Sequence, residues 1–351
     1  MSSFMWQRLP CPLTRLAQIC AIALAITGCQ QSSIDAGQND TAAFYRGRTV
    51  RIVVGVSPGG GQDLYARVMA PHFARHLEGE PNVIVENMPG AGGLVAATYL
   101  AHRATPDGLT IGLLGPQPTF IQLGPQASFD VRTLPIIGSP SDDGAVCVFG
   151  RERGYSLDAW RRGRTPRIGM TRRGSSTAAY GLLLTEALGL AVKPVTGYPG
   201  TADIKAAIVS GEIDGVCLSR NSFVASFQPL NQYDVVLQSA RTDSAMLPGV
   251  PNADQLITSE RGRTLLKIVG AVGVLSRYYA APPGTSPARV EALRSAFERT
   301  MQSTEFRAAA AAAHLEIRPQ THITLSDHID ALLASPPEIR REMAALLNSG
   351  S

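Results

Sequence analysis

Short apolar runs recur along this chain, and the clearest of them are followed by a glycine-rich loop and a helical pattern. In residues 52–63, IVVGVSPGGGQD, a β-branched run stops at Ser57-Pro58, three glycines follow, and Asp63 begins the helical stretch DLYARVMAPHFARHL. This order predicts a strand, a loop and a helix N-terminus. Glycines let backbone N–H groups turn toward a ligand, and a helix N-terminus favours an anion. The pattern therefore predicts a βα junction that suits an anionic ligand.

This loop lacks the sequence signatures of nucleotide-binding loops. A P-loop ends in GK[ST], and no such tripeptide follows Gly61, whereas a dinucleotide fingerprint needs GxGxxG where this chain has PGGGQD. Glu86 ends the next apolar run, roughly where a ribose-binding acid would lie, but one acid does not replace the missing glycine motif. An ordinary βα connection remains the alternative to an anion-binding loop.

The same junction recurs further along the chain. NVIVENMPGAGG (82–93) is a second apolar run with a glycine-rich end. In the second half, the apolar TPRIGM (165–170) precedes a small polar loop and a helical pattern over 177–189. Either Ser175 or Ser176 is a suitable N-cap for that helix, because its hydroxyl can accept from a free N–H group of the first turn. The repetition predicts two units built alike.

These motifs resemble, in the same order, those of the extracytoplasmic solute receptors of the tripartite tricarboxylate transporter family, the Bug-type receptors. The resemblance covers roughly residues 45 to 320. The resemblance is poor over 115–145. Pro71 lies inside the first predicted helix, so this helix is expected to kink or to restart there. The matching segments are YRGRTVR (45–51), PGGGQDLYAR (58–67), ENMPGAGG (86–93), PDGLT (106–110), a helix start at Gly174 to Ser176, a segment with Tyr198, Gly200 and Ala202, a turn at Gly211 to Asp214, and a return strand with its turn in 266–287.

The resemblance implies an α/β fold of the type 2 periplasmic binding protein kind, with two domains and a ligand cleft between them. Two crossing strands would join the domains, AVCVFG (145–150) and the return strand. A hinge is expected near Cys147 and Gly270, with the glycines of 270–273 absorbing the motion. The expected divisions are 45–146 and 269–335 for domain 1, 147–268 for domain 2, and 336–351 for a C-terminal helix or tail.

The resemblance also implies a function. It is that of a receptor that captures a small carboxylate in the cleft and delivers it to the separate permease subunits of a tripartite transporter in the membrane. The carboxylate would be a di- or tricarboxylate, an aromatic acid or an amino acid, and no metal or cofactor is expected. For Asp63, capping its helix is favoured over touching the ligand. The candidate ligand-binding residues are Ser57, Gly60, Gly61, Gln62, Asp63, Ala91, Gly92, Gln117, Ser175, Ser176, Thr177, Tyr198, Gly200, Thr201, Asp214 and Arg220.

Candidate catalytic groups lack the partners that their motifs require. His72 and His76 are four residues apart, as in zinc sites, but Phe73 occupies the position where a metalloprotease needs glutamate. The segment GSST (174–177) lacks the GxSxG elbow of a serine hydrolase. The alternative function is an exported hydrolase-like enzyme that acts on a small anionic ester.

Composition limits the class of protein. A chain of 351 residues is long enough for two domains, and 44% hydrophobic with 17% charged residues is typical of a globular protein. The formal net charge of +4 is small and the chain has no dense basic run, so nucleic acid is not expected as a partner. We expect a monomer.

The N-terminus predicts export and a lipid anchor. Two arginines precede an apolar stretch over 16–26 that is too short to span a bilayer, and Ile26-Thr27-Gly28-Cys29 looks like a bacterial lipobox. Residues 1–28 would then be a lipoprotein signal peptide, Cys29 the lipidated first residue, and 29–44 a polar tether that holds the protein in the periplasm at a membrane. A soluble secreted protein cut nearby is the alternative.

Cys147 and Cys217 are the cysteines that follow the predicted tether. Each lies in an apolar, strand-like run, AVCVFG and DGVCLS. Free cysteine behaves as a small hydrophobic residue, so we expect two separate buried side chains rather than a disulfide.

Overall fold

The computed structural model describes residues 41–123, 127–172, 174–239 and 247–348. The predicted signal peptide, Cys29 and almost all of the predicted tether lie outside these residues. The strands in the described ranges form two sheets. In chain order they are β1 (Thr49–Val54), β2 (Asn82–Asn87), β3 (Thr110–Leu114), β4 (Ile136–Ser139), β5 (Ala145–Gly150), β6 (Arg167–Met170), β7 (Lys193–Thr196), β8 (Gly215–Ser219), β9 (Tyr233–Ser239), β10 (Tyr278–Ala280) and β11 (Gln320–Thr321).

Helices connect and cover the strands. The first of them runs through Pro71 without interruption, so the predicted restart does not occur. Within the described ranges, no helix combines the length and the apolar character that a bilayer crossing requires. In chain order the helices are α1 (Gly61–His76), α2 (Leu94–His102), α3 (Gln117–Phe120), α4 (Leu157–Arg161), α5 (Ser176–Ala187), α6 (Thr201–Ser210), α7 (Arg220–Ser226), α8 (Ala253–Leu256), α9 (Glu260–Val274), α10 (Pro287–Gln302), α11 (Thr304–Ala312), α12 (His322–Leu333) and α13 (Pro337–Asn348).

The first sheet has the strand order β11-β4-β10-β3-β1-β2. β1 lies parallel to β2 and β3, and β10 runs antiparallel to β3 and β4. The β-branched apolar residues of β1 are fully buried, as expected for a central strand that is covered on both faces. α10 and α11 pack against α1 over this sheet, with Phe73, Phe297 and Phe306 in their shared core.

The second sheet repeats this plan with the order β7-β6-β8-β5-β9. β6 lies parallel to β7 and β8, and β5 runs antiparallel to β8 and β9. In each sheet three neighbouring strands are parallel, and the one that comes first in the sequence lies between the other two. An antiparallel strand pairs with one edge of these three strands. The repeated order in the sequence thus corresponds to two similar α/β units, and the predicted fold class is confirmed.

The chain crosses between the sheets at two places, and both differ from the prediction. The segment 140–144 leads from β4 in the first sheet to β5 in the second, so AVCVFG is a strand of the second sheet. The predicted return strand is wrong, because Glu260–Val274 forms the helix α9 and the strand covers Tyr278–Ala280 alone. Buried apolar residues at Leu265, Val269 and Val272 recur at helical spacing.

Because α9 is a helix, the predicted hinge at Gly270 is wrong. The helix also spans one of the predicted domain limits. Gly270 and Gly273 lie inside this helix, so they are not flexible positions in a crossing strand. At Gly273 a Cβ would collide with the carbonyl oxygen of Asp143, so this glycine lets the helix approach the first crossing. α9 packs against α5 of the second unit and spans the predicted limit between 268 and 269. The domain limits 45–146, 269–335 and 147–268 stay a prediction, as does the separate status of 336–351, where α13 packs against α3 and α5.

Cys147 and Cys217 form a disulfide, so the prediction of two separate buried side chains was wrong. The two residues are direct partners in the antiparallel pairing of β5 with β8, and both are fully buried. Side chains at directly opposed positions on one face of a sheet lie close enough to react. The register that brings them together connects residues 70 positions apart and is not visible in the local sequence.

Candidate functional site

A cavity of about 1050 Å³ lies between the two units. The loops that follow β1, β3, β6 and β7 line it, because parallel strands bring their following loops to one edge of a sheet. The first residues of α1, α5 and α6 also line the cavity. Helix N-termini carry unpaired N–H groups and partial positive charge, so three of them at one cavity favour an anion.

The glycine loop after β1 is held by the carboxylate of Asp63. Gly60 is the N-cap of α1 and has no side chain to cap the helix. Oδ2 of Asp63 accepts from the backbone N of Gly59 at 2.9 Å and from Nε of Arg67 at 3.0 Å, and Oδ1 accepts from Nδ2 of Asn87 at 2.8 Å. Burial by itself raises the pKa of this carboxyl, but the three hydrogen bonds outweigh burial and lower the pKa. Asp63 is therefore a buried structural group that shapes the loop and does not line the cavity.

Loops of the two units touch across the cavity at positions without a side chain. A Cβ at Gly60 would lie 3.3 Å from Oγ1 of Thr201, and a Cβ at Gly92 would lie 3.3 Å from Cβ of Ser175. At Gly61 a Cβ would collide with Oγ of Ser222. The cavity is thus enclosed by both units, and glycines in the first unit permit their close approach.

The loop before α5 is organised by its own hydroxyl groups. Oγ of Ser175 caps α5 by accepting from the backbone N of Ala178 at 3.3 Å, which confirms one of the two predicted N-caps. Oγ1 of Thr177 accepts from the backbone N of Thr171 at 3.1 Å. These bonds fix the backbone of the loop at the cavity wall.

Tyr198 lines the cavity, and its hydroxyl bonds to another side chain. The OH group donates to Oε1 of Glu212 at 2.7 Å, and partial burial together with this bond raises the pKa of Tyr198 to about 12. This hydroxyl is therefore bonded to a side chain of its own unit.

Most of the predicted site residues meet at this cavity, whereas Asp63, Asp214 and Arg220 do not line it. Asp214 pairs with Arg167 at 2.9 Å. Burial raises the pKa of Asp214, but the hydrogen bonds from Arg167 outweigh burial and lower it. Arg220 pairs with Glu316 at 2.6 Å, which ties α7 to the other unit. The predicted residues that line the cavity are Ser57, Gly60, Gly61, Gln62, Ala91, Gly92, Gln117, Ser175, Ser176, Thr177, Tyr198, Gly200 and Thr201.

Arg277 is a cavity-lining residue that the sequence analysis missed. It is 1% exposed, and its Nη2 donates to Oγ of Ser219 at 2.7 Å while Nη1 donates to Oγ of Ser141 at 3.0 Å. Its guanidinium also lies over the ring of Tyr65, 4.5 Å from the centroid. The available signal was an arginine inside the apolar run VGVLSRYYAA, because an unpaired arginine is almost never fully buried.

Several residues that line the cavity carry a buried polar side-chain atom with no hydrogen-bond partner among the described residues. They are Oε1 of Gln117, Oγ1 of Thr201, Oγ of Ser276 and Nε of Arg277. The described lining contains two arginines, Arg172 and Arg277, and no acidic residue. A buried polar group without a partner costs free energy, whereas two arginines and no acid in the described lining favour an anion.

Known proteins with a similar sequence match only part of this chain. No family model matches the sequence. A UPF0065 protein of Bordetella pertussis is 40% identical over 109 residues, which make up 31% of this chain and 30% of that protein. The protein BugT of the same species is 33% identical over 99 residues, or 28% of this chain and 27% of BugT. The chain thus matches less than a third of the length of these two curated relatives.

Solved structures match over nearly their whole length. MatC from Rhodopseudomonas palustris, solved with bound malate, is 22% identical, and the match covers 84% of this chain and 98% of MatC with a TM-score of 0.67. The periplasmic binding protein BugD is 20% identical, with 86% of this chain and 99% of BugD covered and a TM-score of 0.70. These likenesses show the fold of periplasmic solute-binding proteins. This chain is thus similar in sequence to BugT over part of its length and similar in fold to BugD.

The Bug-type motifs account for only part of the cavity. The PGGGQDLYAR and ENMPGAGG segments contribute Gly60 and Gly92 to it, and the second-half motifs contribute Ser176 and Gly200. Arg277 lies before the short strand β10, in a turn that the family's return-strand pattern did not mark as a site.

Proposed function

We propose that this protein is an extracytoplasmic solute receptor that captures a small carboxylate between its two units and delivers it to a membrane permease. The observation that carries the proposal is the convergence of the N-termini of α1, α5 and α6 on one cavity whose described lining holds no acidic residue. Backbone N–H groups and buried hydroxyls can donate hydrogen bonds to an anion. The malate bound to MatC is a small carboxylate, an anion of the proposed class.

The expected affinity suits capture without chemistry. One charge-assisted hydrogen bond contributes about 1.5–3 kcal/mol. Four such bonds at the upper end of this range give about 12 kcal/mol, and subtracting about 4 kcal/mol for lost motion leaves roughly −8 kcal/mol, which is a micromolar Kd. A receptor that must later release its ligand needs no tighter binding.

Closure of the two units around the ligand is the proposed mechanism. Each unit holds part of the hydrogen-bond donors, so all acceptor positions of the anion are filled only when the two units close around it. The ligand therefore binds the closed state more tightly than the open state. The contacts of Gly61 with Ser222 and of Gly92 with Ser175 are of the kind that such closure makes. The closed surface would be the one that the permease recognises.

The cellular setting is part of the proposal. A lipid on Cys29 would hold the protein in the periplasm at a membrane, and 30–44 would act as the tether. The permease would be a separate membrane partner, and the receptor would act as a monomer. A secretory route agrees with the disulfide between Cys147 and Cys217, because disulfides persist in oxidising compartments.

The alternative, a hydrolase acting on an anionic ester, lacks support in the geometry. Ser175 and Ser176 line the cavity, but the described lining contains no histidine and no carboxylate to activate a serine. No metal-binding cluster of His, Cys, Asp and Glu occurs among the described residues.

Calorimetry on the purified protein tests the proposal. A carboxylate panel should contain at least one ligand with a Kd near the micromolar range, and native mass spectrometry of protein from its own host would identify the natural one. Gly61→Val and Ser176→Ala should weaken that binding, whereas unchanged affinity in both variants would contradict the proposed site. Product release exceeding one turnover per protein would favour the hydrolase.

A further inference from the structure

The two units also contact each other outside the cavity. α7, which follows β8 of the second unit, packs against α1 of the first unit. Tyr65, Asn221 and Glu316 meet there, and none of the three belongs to the described lining of the cavity. Their contacts therefore join the units at a place that a ligand in the cavity does not touch.

The hydroxyl of Tyr65 is the centre of this group. It accepts from Nδ2 of Asn221, which belongs to the second unit, at 2.9 Å. It donates to the backbone oxygen of Glu316, which belongs to the first unit, at 2.7 Å. Burial raises the pKa of Tyr65 to about 12, so the hydroxyl keeps the proton that it donates. One phenol group thus bonds to both units, through its donor and an acceptor position.

The hydrogen bond between Tyr65 and Asn221 is shielded from water. Tyr65 is 1% exposed and Asn221 is 3% exposed. The backbone N of Asn221 also donates to Oδ2 of Asp143 at 2.9 Å, so the start of α7 is held at the crossing 140–144. A hydrogen bond of 2.9 Å is lost after a displacement of about 1 Å. Rotation of α7 away from α1 would therefore break this bond.

An ion pair between the units lies beside this hydroxyl. Nη1 of Arg220, in the second unit, lies 2.6 Å from Oε2 of Glu316. Nε of Arg318 lies 2.7 Å from the other carboxylate oxygen, and both of these residues belong to the first unit, so the carboxylate is held in place to receive Arg220. Because the side chains of the pair are 21% and 28% exposed, water weakens this contact more than the buried bond.

We propose that Tyr65, Asn221 and the Arg220–Glu316 pair form a latch that holds the two units together outside the cavity. A ligand that binds the closed state has an apparent Kd equal to its intrinsic Kd divided by the fraction of receptor that is closed. The latch raises that fraction and so strengthens the binding of every ligand by the same factor. This inference rests on the proposed receptor function and its closure.

Tyr65→Phe tests the latch without any ligand, because it removes the hydroxyl and keeps the buried ring. Small-angle scattering of the ligand-free protein should give a larger radius of gyration for this variant than for the wild type. Tyr45→Phe is the matched control, since the buried hydroxyl of Tyr45 donates to the backbone oxygen of Gly108 at 3.2 Å inside the first unit. Both variants should lower the Tm, but Tyr45→Phe should leave the radius of gyration unchanged.

Calorimetry with malate, adipate, benzoate and glutamate then measures affinity. For each probe that binds, Tyr65→Phe should raise the Kd by the same factor, about threefold to tenfold, the equivalent of one hydrogen bond. Asn221→Ala should act in the same way. The double variant should raise the Kd by less than the product of the two single factors, because both substitutions remove the same bond. Tyr45→Phe should leave each Kd unchanged.

The outcomes separate the latch from the receptor function. A Tyr65→Phe variant that matches Tyr45→Phe in radius of gyration and in every Kd would overturn the latch and leave the receptor function standing. Factors that differ from probe to probe would place Tyr65 in ligand recognition and would overturn the latch as well. If none of the probes binds, the receptor function is contradicted, and the scattering comparison decides the latch by itself.

Discussion

The carboxylate of Asp143 lies 3.6 Å from the guanidinium of Arg277, and both side chains are 2% exposed. Asp143 belongs to the crossing that leads into the second sheet, and Arg277 belongs to the turn that returns the chain to the first sheet. Asp143 also accepts from the backbone N of Asn221 at 2.9 Å. A buried ion pair thus joins the two crossings, and one of its members, Arg277, lines the cavity.

Breaking this pair should destabilise the protein strongly. Asp143→Asn leaves the buried charge of Arg277 without its partner, which costs about 3–5 kcal/mol. The double variant Asp143→Asn/Arg277→Met removes both charges and should recover part of that loss. Urea unfolding of Asp143→Asn, Arg277→Met, the double variant and the wild type measures the effect. Losses that simply add, with no recovery in the double variant, would contradict the coupling.

Gly61→Ala should impair closure while leaving the fold intact. The added Cβ would collide with Oγ of Ser222 across the cavity, and such overpacking costs about 1–3 kcal/mol. We expect ligand affinity to fall by about tenfold or more and the ligand-induced decrease in radius of gyration, measured by small-angle scattering, to shrink. Gly270→Ala is the control, because a Cβ there meets nothing within 4 Å. A wild type that shows no compaction with saturating ligand would remove the closure mechanism.

The disulfide should contribute to stability in an oxidising compartment. Cys147 and Cys217 close a loop of 70 residues, and removing a native disulfide typically costs about 2–5 kcal/mol. Dithiothreitol should therefore lower the urea midpoint of the wild type. The double variant Cys147→Ala/Cys217→Ala should show the lower midpoint without reductant and should not respond to it. If dithiothreitol does not change the urea midpoint of the wild type under denaturing conditions, the disulfide does not make this contribution.

Asp63 should make stability depend on pH in the acid range. Because its folded-state pKa is lowered, its contribution is fully present above the usual pKa of about 3.9 and is lost as pH falls through the lower folded-state value. The stability difference between wild type and Asp63→Asn should therefore be larger at neutral pH than in strong acid. Asp327→Asn, an exposed position on α12, is the control. A difference that stays constant with pH would refute the charged role of Asp63.

Cys29→Ser should release the protein from the membrane. A single acyl chain gives only marginal membrane binding, whereas the two-chain lipid expected on Cys29 anchors stably. Fractionation of host cells should find the wild type with membranes and the variant in the soluble periplasmic fraction. Retention of the variant at the membrane would exclude this anchor.

The local features of this protein could be predicted from its sequence. The strand–glycine loop–helix junctions at 52–63 and 82–93 and the capped helix after Ser175 appear where their patterns place them. The reason is that β-branched runs, glycine loops and N-caps act over a few neighbouring residues. Most of the predicted cavity residues lie in these junctions, so they were found as well.

Tertiary structure decided the features that depend on distant residues. The disulfide depends on the register of β5 with β8, the helix α9 buries its apolar face against α5, and Arg277 is buried because Asp143 and the serine hydroxyls meet it there. In the sequence, the same stretch of glycines and apolar residues suits a strand or a helix, and a lone arginine suits solvent. Tertiary packing determines that this stretch is a helix and that the arginine is buried. The partners that stabilise the helix and the buried charge are far away along the chain, so the local sequence does not reveal them.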